Sequence, residues 1–452
     1  MMKKTILWRP SMNDTILHFY RGTKGMGIVI SLTYGHERII LDFGAPFSPL
    51  SEIYDGTVRI RNENKVTDAL SIGRIPEVPG VFSIEDLKDY PLLSYEECDL
   101  NTAVFISHLH LDHMSEIDKL APEIPVYIHE DGIKLYEALY HTGLQENFRS
   151  CHSFSYQKQM QIGKICITPF FSDHPCPGSS GFLIKTPDAT VYYSGDIRFH
   201  GTKAEEAFSV LDDLEKEKID LLIVDATTTS PSEFHLDPSL YSFPSKHLLP
   251  GSVSEQDIYD HIFSTLKGYD GIGVFNQYER DTSMMKHMIE LGKKLDRNVF
   301  FEPEFAYILK QLHGIEVPVL NEADIKEIRK HPSKYLLQNS YRNILALSDF
   351  DGIEGEYYHL FGEPLVEGTK NWNVMRNVVE KLHWRFHSFS NLYSFSHAYP
   401  NQLAYMIEKI GAKSVVAVHS KHPENLPSSK SDQFFPQEDK DHLLKNGELT
   451  EV

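Results

Sequence analysis

The segment Ser107-His108-Leu109-His110-Leu111-Asp112-His113 is the stretch of sequence that most directly predicts a fold and a chemistry. Its three imidazoles and one carboxylate are ligands that suit zinc and other transition-metal ions. Because alternate side chains of an extended segment point to the same side, His108 and His110 can bind one ion. Asp112 and His113 lie just beyond them and can reach a second ion. The segment therefore predicts a binuclear metal site rather than a histidine-rich loop without ligands.

Length and composition are those of a globular protein with more than one domain. The chain has 452 residues, of which 41% are hydrophobic and 24% are charged, and this length allows two or three domains. Its four cysteines show neither zinc-ribbon spacing nor a disulfide framework. The N-terminal apolar run is too short for a signal peptide, and no stretch approaches the roughly 20 apolar residues of a membrane span. We therefore expect a cytoplasmic protein without membrane contact.

The acidic charge limits how the protein can bind a polyanion. A formal net charge of −20 disfavours a broad, unspecific contact with phosphate backbones. Two divalent ions still concentrate positive charge at one point, where a single phosphate can bind. We expect any contact with nucleic acid to be local and centred on the metals.

Further candidate ligands, and carboxylates that can orient them, stand at the ends of runs that read as buried strands. The run 102–107 leads into the histidine segment, and the other candidates that end or follow such runs are Asp42, His174, Asp196, Asp225 and His419. Carboxylates at strand ends also serve as turn caps, which is the alternative for Asp42, Asp196 and Asp225. His174, beside Pro175, can be a turn histidine, and the neighbouring His422 can replace His419 as a ligand.

The character of the sequence changes near residue 236. Between 236 and 384, helices predicted at 256–266, 282–295 and 322–329 alternate with strands at 271–275 and 298–301. Such alternation is typical of an α/β domain with a parallel sheet. Because metal-type signals resume afterwards, we expect residues 236–384 to form a domain inserted between 1–235 and 385–452. The polar, aperiodic residues 52–98 are predicted to be an insertion or a lid.

These signals, in this order, resemble the metallo-β-lactamase superfamily. Asp42 matches its first motif, the histidine segment its second, His174 its third and Asp196 its fourth. An insert followed by Ser-His397-Ala and by Val-His419 is similar to the β-CASP branch, and within it to ribonuclease J-like nucleases. The resemblance implies an α/β fold: a metallo-β-lactamase αββα sandwich with an inserted α/β domain of the β-CASP type.

The resemblance also assigns ligands. It implies that His108, His110 and His174 hold one divalent ion, that Asp112, His113 and His419 hold a second, and that Asp196 bridges the two. Asp42 and Asp225 would support these ligands from behind. Zinc is the favoured metal, and manganese is left open.

A hydrolytic reaction follows from the same resemblance. It implies that metal-activated hydroxide attacks phosphorus in a nucleic acid, RNA before DNA, and that His397 protonates the leaving oxygen. The candidate catalytic residues are then Asp112, Asp196 and His397. A structural hydrogen bond is the alternative for His397. Single-stranded RNA or DNA is the expected partner, and a homodimer is left open.

Departures from the family pattern affect the substrate-binding residues. The usual Ser-Gly-His-Ala is replaced by Ser394-Phe-Ser396-His397-Ala, and only Arg280 of a segment that handles phosphate is retained. Arg280, Ser394 and Ser396 are the candidates for substrate binding, with a solvated surface charge as the alternative for Arg280. Two other functions stay open: a metallo-hydrolase of a small ester, lactone or phosphodiester, and a non-catalytic binding protein with the same fold.

Overall fold

The computed structural model describes residues 13–46, 58, 60–229, 240, 244–250, 252–389, 396–427 and 430–452. The strands are, in chain order, β1 (Thr15–Arg21), β2 (Val29–Tyr34), β3 (Glu37–Leu41), β4 (Asn101–Phe105), β5 (Val126–His129), β6 (His152–Phe154), β7 (Met160–Ile162), β8 (Ile165–Phe171), β9 (Ser180–Lys185), β10 (Thr190–Tyr193), β11 (Leu221–Asp225), β12 (Ile272–Gln277), β13 (Asn298–Phe300), β14 (Tyr335–Gln338), β15 (Gly355–Leu360), β16 (Arg385–Ser388), β17 (Ser414–Val418), β18 (Asp432–Gln433), β19 (Asp441–Lys445) and β20 (Glu448–Glu451). The α-helices are α1 (Lys65–Ser71), α2 (Ile84–Leu87), α3 (Leu111–Met114), α4 (Glu130–His141), α5 (Ala204–Leu214), α6 (Glu255–Leu266), α7 (Thr282–Lys294), α8 (Pro303–His313), α9 (Glu322–Lys330), α10 (Lys370–Lys381) and α11 (Pro400–Ile410).

Two large sheets pack face to face. The first has the strand order β20-β19-β1-β2-β3-β4-β5-β6, and the second has the order β18-β17-β11-β10-β9-β8-β7. A single apolar cluster between them takes side chains from both sheets, including Phe105 of the first and Phe182 of the second, whose rings lie 5.8 Å apart. Truncating such a buried phenylalanine to alanine typically costs about 3–5 kcal/mol of unfolding free energy.

Strand alternation explains why both faces of each sheet are buried. In β11, Leu221 and Ile223 face the other sheet, whereas Leu222 and Val224 belong to a separate cluster on the outer face. Successive side chains of a strand point to opposite faces, so an uninterrupted apolar run requires a covering layer on each side. The outer cluster is covered by α5 and α11, and α4 covers the outer face of the first sheet. The predicted αββα sandwich is confirmed.

Residues 60–98 are part of the packed structure. Val66 and Leu70 of α1, together with Val81 and Phe82, are buried in the cluster on the outer face of the first sheet. This burial does not fit a lid, whereas an insertion between β3 and β4 stays a prediction. Nothing in the sequence indicated the burial, because the apolar side chains of this stretch are spaced irregularly and show no helical or strand period. Residues 52–57 and 59 of the same prediction lie outside the described residues.

The third sheet lies within an insertion into the sandwich. β11 and β17 are hydrogen-bonded neighbours, with Leu221 opposite Ser414, although the strands β12 to β16 lie between them in sequence. Those five strands form a parallel sheet in the order β13-β14-β12-β15-β16. Its last strand, Arg385–Ser388, lies beyond residue 384, so we propose that the inserted domain ends after Ser388. Residue 235, the other predicted boundary, lies outside the described residues.

Apolar packing joins the insert to the sandwich. Leu135 and Leu139 of α4 belong to the same buried cluster as Ile308 and Leu309 of α8. Among the described residues, no helix is both long and apolar enough to cross a membrane.

Candidate metal centre

The candidate ligands meet at one edge of the sandwich because the strands that carry them run in the same direction. β3 and β4 are parallel, and so are β10, β11 and β17. The carboxyl ends of parallel strands share one edge of a sheet, and side chains just beyond those ends converge there. Asp42, the segment 107–113, Asp196, Asp225 and His419 all follow or end such strands.

One group, here called the first subsite, consists of His108, His110 and His174. Its members can present ligand atoms, together with one from Asp196, that all lie within 4.8 Å of one another. The Nε2 atoms of His108 and His174 lie 3.5 and 3.6 Å from Asp196 Oδ2. His174 Nε2 lies 3.0 Å from His110 Nδ1.

A second group, here called the second subsite, consists of Asp112, His113 and His419. His419 Nε2 lies 2.8 Å from Asp112 Oδ2, and His113 Nε2 lies 3.8 Å from the same oxygen. His113 Nε2 also lies 3.2 Å from Asp196 Oδ1. The two oxygens of Asp196 therefore face different subsites, which is the arrangement expected of a bridging carboxylate.

Four imidazoles are held at Nδ1, so that their Nε2 atoms point into the centre. His113 Nδ1 donates to Asp42 Oδ2 at 2.8 Å, and His174 Nδ1 donates to the carbonyl of Ser396 at 2.7 Å. The other two imidazoles are bound to hydroxyl groups. His108 Nδ1 lies 3.0 Å from Ser107 Oγ, and His419 Nδ1 lies 2.6 Å from Thr227 Oγ1. Metal-binding histidines are commonly oriented in this way by an acceptor at the other ring nitrogen.

The residues present fit a pair of metal ions. The Nε2 atoms of His108 and His110 are buried and have no hydrogen-bond partner among the described residues. Buried polar atoms are nearly always paired, so two such nitrogens in one cluster need a common explanation. Imidazole and carboxylate donors that surround this space match the ligands of zinc and related ions.

The two subsites differ in charge. Burial lowers the pKa of His110 to about 3 and lowers the pKa of His108 and His174 well below the ordinary range. Burial acts in the same direction on His419, but Asp196 and Asp112 outweigh it and raise the pKa of His419 to about 9. The first subsite therefore presents neutral imidazoles, whereas the second is held by ion pairs.

Unusual backbone conformations bring these side chains together. Asp42 and His419 are non-glycine residues with φ of 58° and 63°, in the left-handed region that costs an L-residue energy. Gly195 has φ of 56°, and a Cβ atom there would lie 2.6 Å from the carbonyl oxygen of Ser180. Glycine is therefore required at the turn that places Asp196 over the histidine segment.

Asp42 and Asp225 lie behind the ligands. Besides His113, Asp42 accepts hydrogen bonds from the backbone and hydroxyl of Ser107, at 2.6 and 2.8 Å, and from Tyr193 at 2.6 Å. Asp225 accepts from Thr227 Oγ1 at 2.6 Å and from His397 Nδ1 at 2.7 Å. These bonds connect both carboxylates to candidate ligands. Asp225 also forms a further group with Asp196, His397 and His419, whose possible ligand atoms all lie within 4.8 Å of one another.

His397 stands at the wall of the centre. Its Nδ1 lies 3.9 Å from Asp196 Oδ2, and its ring centroid is 5.3 Å from that of His174 and 5.4 Å from that of His419. The side chain is 13% exposed. His397 thus borders both the centre and solvent.

Arg280, one of the candidates for substrate binding, is placed differently from expectation. The Arg280 guanidinium is buried, and it donates to the carbonyl of Leu109 at 2.9 Å and to Gln145 Oε1 at 3.0 Å. Its donors face protein acceptors, so the prediction of a substrate clamp is not supported by this geometry. Ser396 contributes its carbonyl to His174, and Ser394 lies outside the described residues.

Sequence reasoning missed the hydroxyls that orient the ligands. Ser107 directly precedes His108, and Thr227 follows Asp225 by two residues. Proximity to a predicted ligand is the signal that could have found them. Tyr193 ends a buried strand, and no local pattern distinguishes it from an ordinary core residue.

Comparison with known proteins agrees with this site. Residues 81–244 match the family model of the Beta-lactamase superfamily domain. This likeness to the superfamily covers less than half of the chain. Together with the clustered histidines and aspartates, it supports a metallo-hydrolase.

Individual relatives are distant. A ribonuclease J of Pyrococcus abyssi is 23% identical over 355 residues, which cover 70% of this chain and 74% of the relative. A ribonuclease J of Mycoplasma genitalium is 20% identical over 292 residues, and the match spans 61% of this chain but only 45% of that relative. The crystal structure of a protein of unknown function from Enterococcus faecalis V583 has a TM-score of 0.78 and 23% identity, over 95% of this chain and 100% of that one. The last likeness shows that the whole fold is shared.

Proposed function

We propose that this protein is a phosphodiesterase that hydrolyses single-stranded nucleic acid, RNA before DNA, at a binuclear metal centre. The observation that carries the proposal is the position of Asp196, whose two carboxylate oxygens face the two subsites. Its relatives bear the name ribonuclease J, which supports a nucleic acid as the substrate. The insert would then correspond to the β-CASP domain.

The residues of the two subsites would hold the ions, which we propose to be zinc. His108, His110 and His174 would bind one ion, Asp112, His113 and His419 the other, and Asp196 both. When bound, two such ions supply Lewis acidity and lower the pKa of water towards neutrality. The chain's own contribution is the fixed orientation of the imidazoles through Asp42, Ser107, Thr227 and the Ser396 carbonyl.

We propose His397 as the proton donor to the leaving oxygen. Its ring borders the centre while its Nδ1 is bound to Asp225, so the Nε2 edge is left to face a substrate. An aspartate bound at one ring nitrogen fixes the orientation of the ring, and a histidine held in this way at the edge of a site can act as a general acid. Because Asp225 also reaches Thr227 and, through it, His419, the acid and one metal ligand share a support.

Two observations favour a second candidate function, hydrolysis of a small ester, lactone or phosphodiester. The guanidinium of Arg280 faces backbone and amide acceptors, and the chain is strongly acidic. A site without a dedicated cationic clamp binds a long polyanion less firmly than a small substrate that only the metals need to hold.

Substrate class is tested by offering the holoprotein a matched panel. We expect a 5′-labelled single-stranded RNA to be cleaved, the same sequence as DNA to be cleaved more slowly, and small esters and lactones to remain intact. His110→Ala removes a first-subsite ligand and should lower cleavage by at least about 100-fold, since even outer partners of metal ligands contribute roughly 10–100-fold.

The matched control is His261→Ala, which removes an imidazole of the insert outside the candidate centre. It should leave cleavage unchanged. If small esters are hydrolysed while RNA stays intact, the second candidate function replaces the proposed one. If folded His110→Ala cleaves RNA at the wild-type rate, both functions are contradicted, because both require the metal centre.

A further inference from the structure

A buried side chain of the inserted domain is hydrogen-bonded to the histidine segment. Arg280 lies between β12 and α7 of the insert, and its Nε donates to the Leu109 carbonyl at 2.9 Å. Leu109 stands between His108 and His110, the two adjacent ligands of the first subsite. The Arg280 side chain is 2% exposed, so this bond is shielded from water.

The guanidinium is also held from its other side. Its Nη2 donates to Gln145 Oε1 at 3.0 Å, and its Nη1 is paired with Glu279. Gln145 is buried and belongs to the sandwich. A planar guanidinium with fixed donors keeps several acceptors in one geometry, which a flexible ammonium does not.

The turn that carries Arg280 is itself fixed. Asp281 caps α7 by accepting from the backbone of Met284 at 3.0 Å, and Gln277 donates to the carbonyl of Asp281 at 3.3 Å. The ring of Tyr278 lies 5.4 Å from the ring of His110 and 5.4 Å from the Arg280 guanidinium carbon. The insert therefore presents a hydrogen-bonded turn to the histidine segment.

We propose that Arg280 is a positioning residue of the metal centre. It holds the Leu109 carbonyl so that the flanking imidazoles of His108 and His110 point into the first subsite. The inference rests on the proposed metal centre, but not on the identity of the substrate. It gives the insert a direct part in metal binding, because the metal affinity of the sandwich depends on an arginine that the insert supplies.

The first test is the metal affinity of Arg280→Met, measured without substrate. Metal-free protein is titrated with Zn²⁺ against a chromogenic chelator. We expect the dissociation constant of the first subsite to rise by about tenfold or more, the size of effect that outer partners of metal ligands usually have. Arg280→Lys keeps the positive charge but not the planar guanidinium, so we expect it to keep only part of the zinc affinity. If Arg280→Met does not fold, Arg280→Lys provides the test in its place.

Arg297→Met is the matched control. Arg297 is another buried arginine of the insert, and it donates to the carbonyls of Leu266, Tyr269, Gly271 and Tyr335, all within the insert. Its loss should lower thermal stability while leaving the zinc affinity of the folded protein unchanged. A matching fall in affinity would mean that any damage to the insert disturbs the centre, and would overturn a specific role for Arg280.

The outcomes separate this inference from the proposed function. Wild-type zinc affinity in Arg280→Met, with a raised KM for RNA, would overturn the positioning role and restore a substrate clamp. A wild-type protein that binds no metal would instead refute the proposed metal centre itself.

Discussion

The two subsites of the candidate centre use different physical means to keep polar side chains buried. In the first, burial keeps His108, His110 and His174 neutral, so their nitrogens are free of protons at the position where a metal ion would bind. In the second, His113 and His419 are paired with carboxylates, chiefly Asp196 and Asp112. The first subsite can therefore accept a metal ion without losing protons. In the second subsite, a metal ion must replace the ion pairs between histidines and carboxylates.

The largest effect should follow from removing Asp196, the residue that the subsites share. Asp196→Ala takes one oxygen from each subsite and leaves the charged rings of His113 and His419 with less compensation. We expect loss of bound metal from both subsites, loss of cleavage by more than about 100-fold, and reduced thermal stability of the metal-free protein.

Metal content after gel filtration and the unfolding temperature check this expectation. Asp213→Ala, which removes an exposed carboxylate of α5, is the control and should match the wild type. Retention of two ions by Asp196→Ala would show that each subsite binds metal without Asp196 and would contradict its bridging role.

The comparison also predicts an effect of pH on metal uptake. At pH 7.5 the metal-free protein carries a proton on His419, whose pKa is about 9, and on His113, whose pKa lies well above its ordinary value. Zinc entering the second subsite must displace both protons, whereas zinc entering the first displaces none. Affinity of the second subsite should therefore fall as pH is lowered, by up to about tenfold per pH unit for each displaced proton.

Calorimetric titration in two buffers of different ionisation enthalpy measures these protons. In the metal-free protein, the raised pKa of His419 contributes stability that is fully present below pH 6.5 and is lost as pH rises through about 9. Its unfolding temperature should fall over that window. Zinc binding without proton release would contradict this difference in charge between the subsites. So would a first subsite that loses its zinc at a higher pH than the second.

The sequence predicted which histidines and aspartates lie close together, because these residues follow a simple rule. Apolar runs that end in His or Asp predicted β4, β8, β11 and β17 and the residues beyond them, and parallel pairing then brings those residues to one edge. The alternation of helices and strands likewise predicted a parallel sheet within the insert. These features depend on local periodicity, which a single sequence records directly.

Contacts between residues that are far apart in the sequence could not be predicted from local periodicity. Arg280 is separated by 171 residues from the carbonyl that it binds, and nothing in its neighbourhood distinguishes a buried donor from a substrate clamp. The burial of residues 60–98 was missed for a related reason. Their apolar side chains pack against the first sheet, but they do not follow a helical or strand period that the sequence would show. Ser107 and Thr227 orient ligands through hydroxyls that are equally at home in ordinary turns.

The most direct test of the account compares Asp112→Ala with the wild type and with Asp213→Ala. Asp112 belongs only to the second subsite, so its loss should leave about one zinc ion per chain where the wild type and the control hold about two. Cleavage of a 5′-labelled single-stranded RNA should fall by at least about 100-fold in the same samples. Two retained ions with wild-type cleavage in Asp112→Ala would contradict a binuclear centre as the site of hydrolysis.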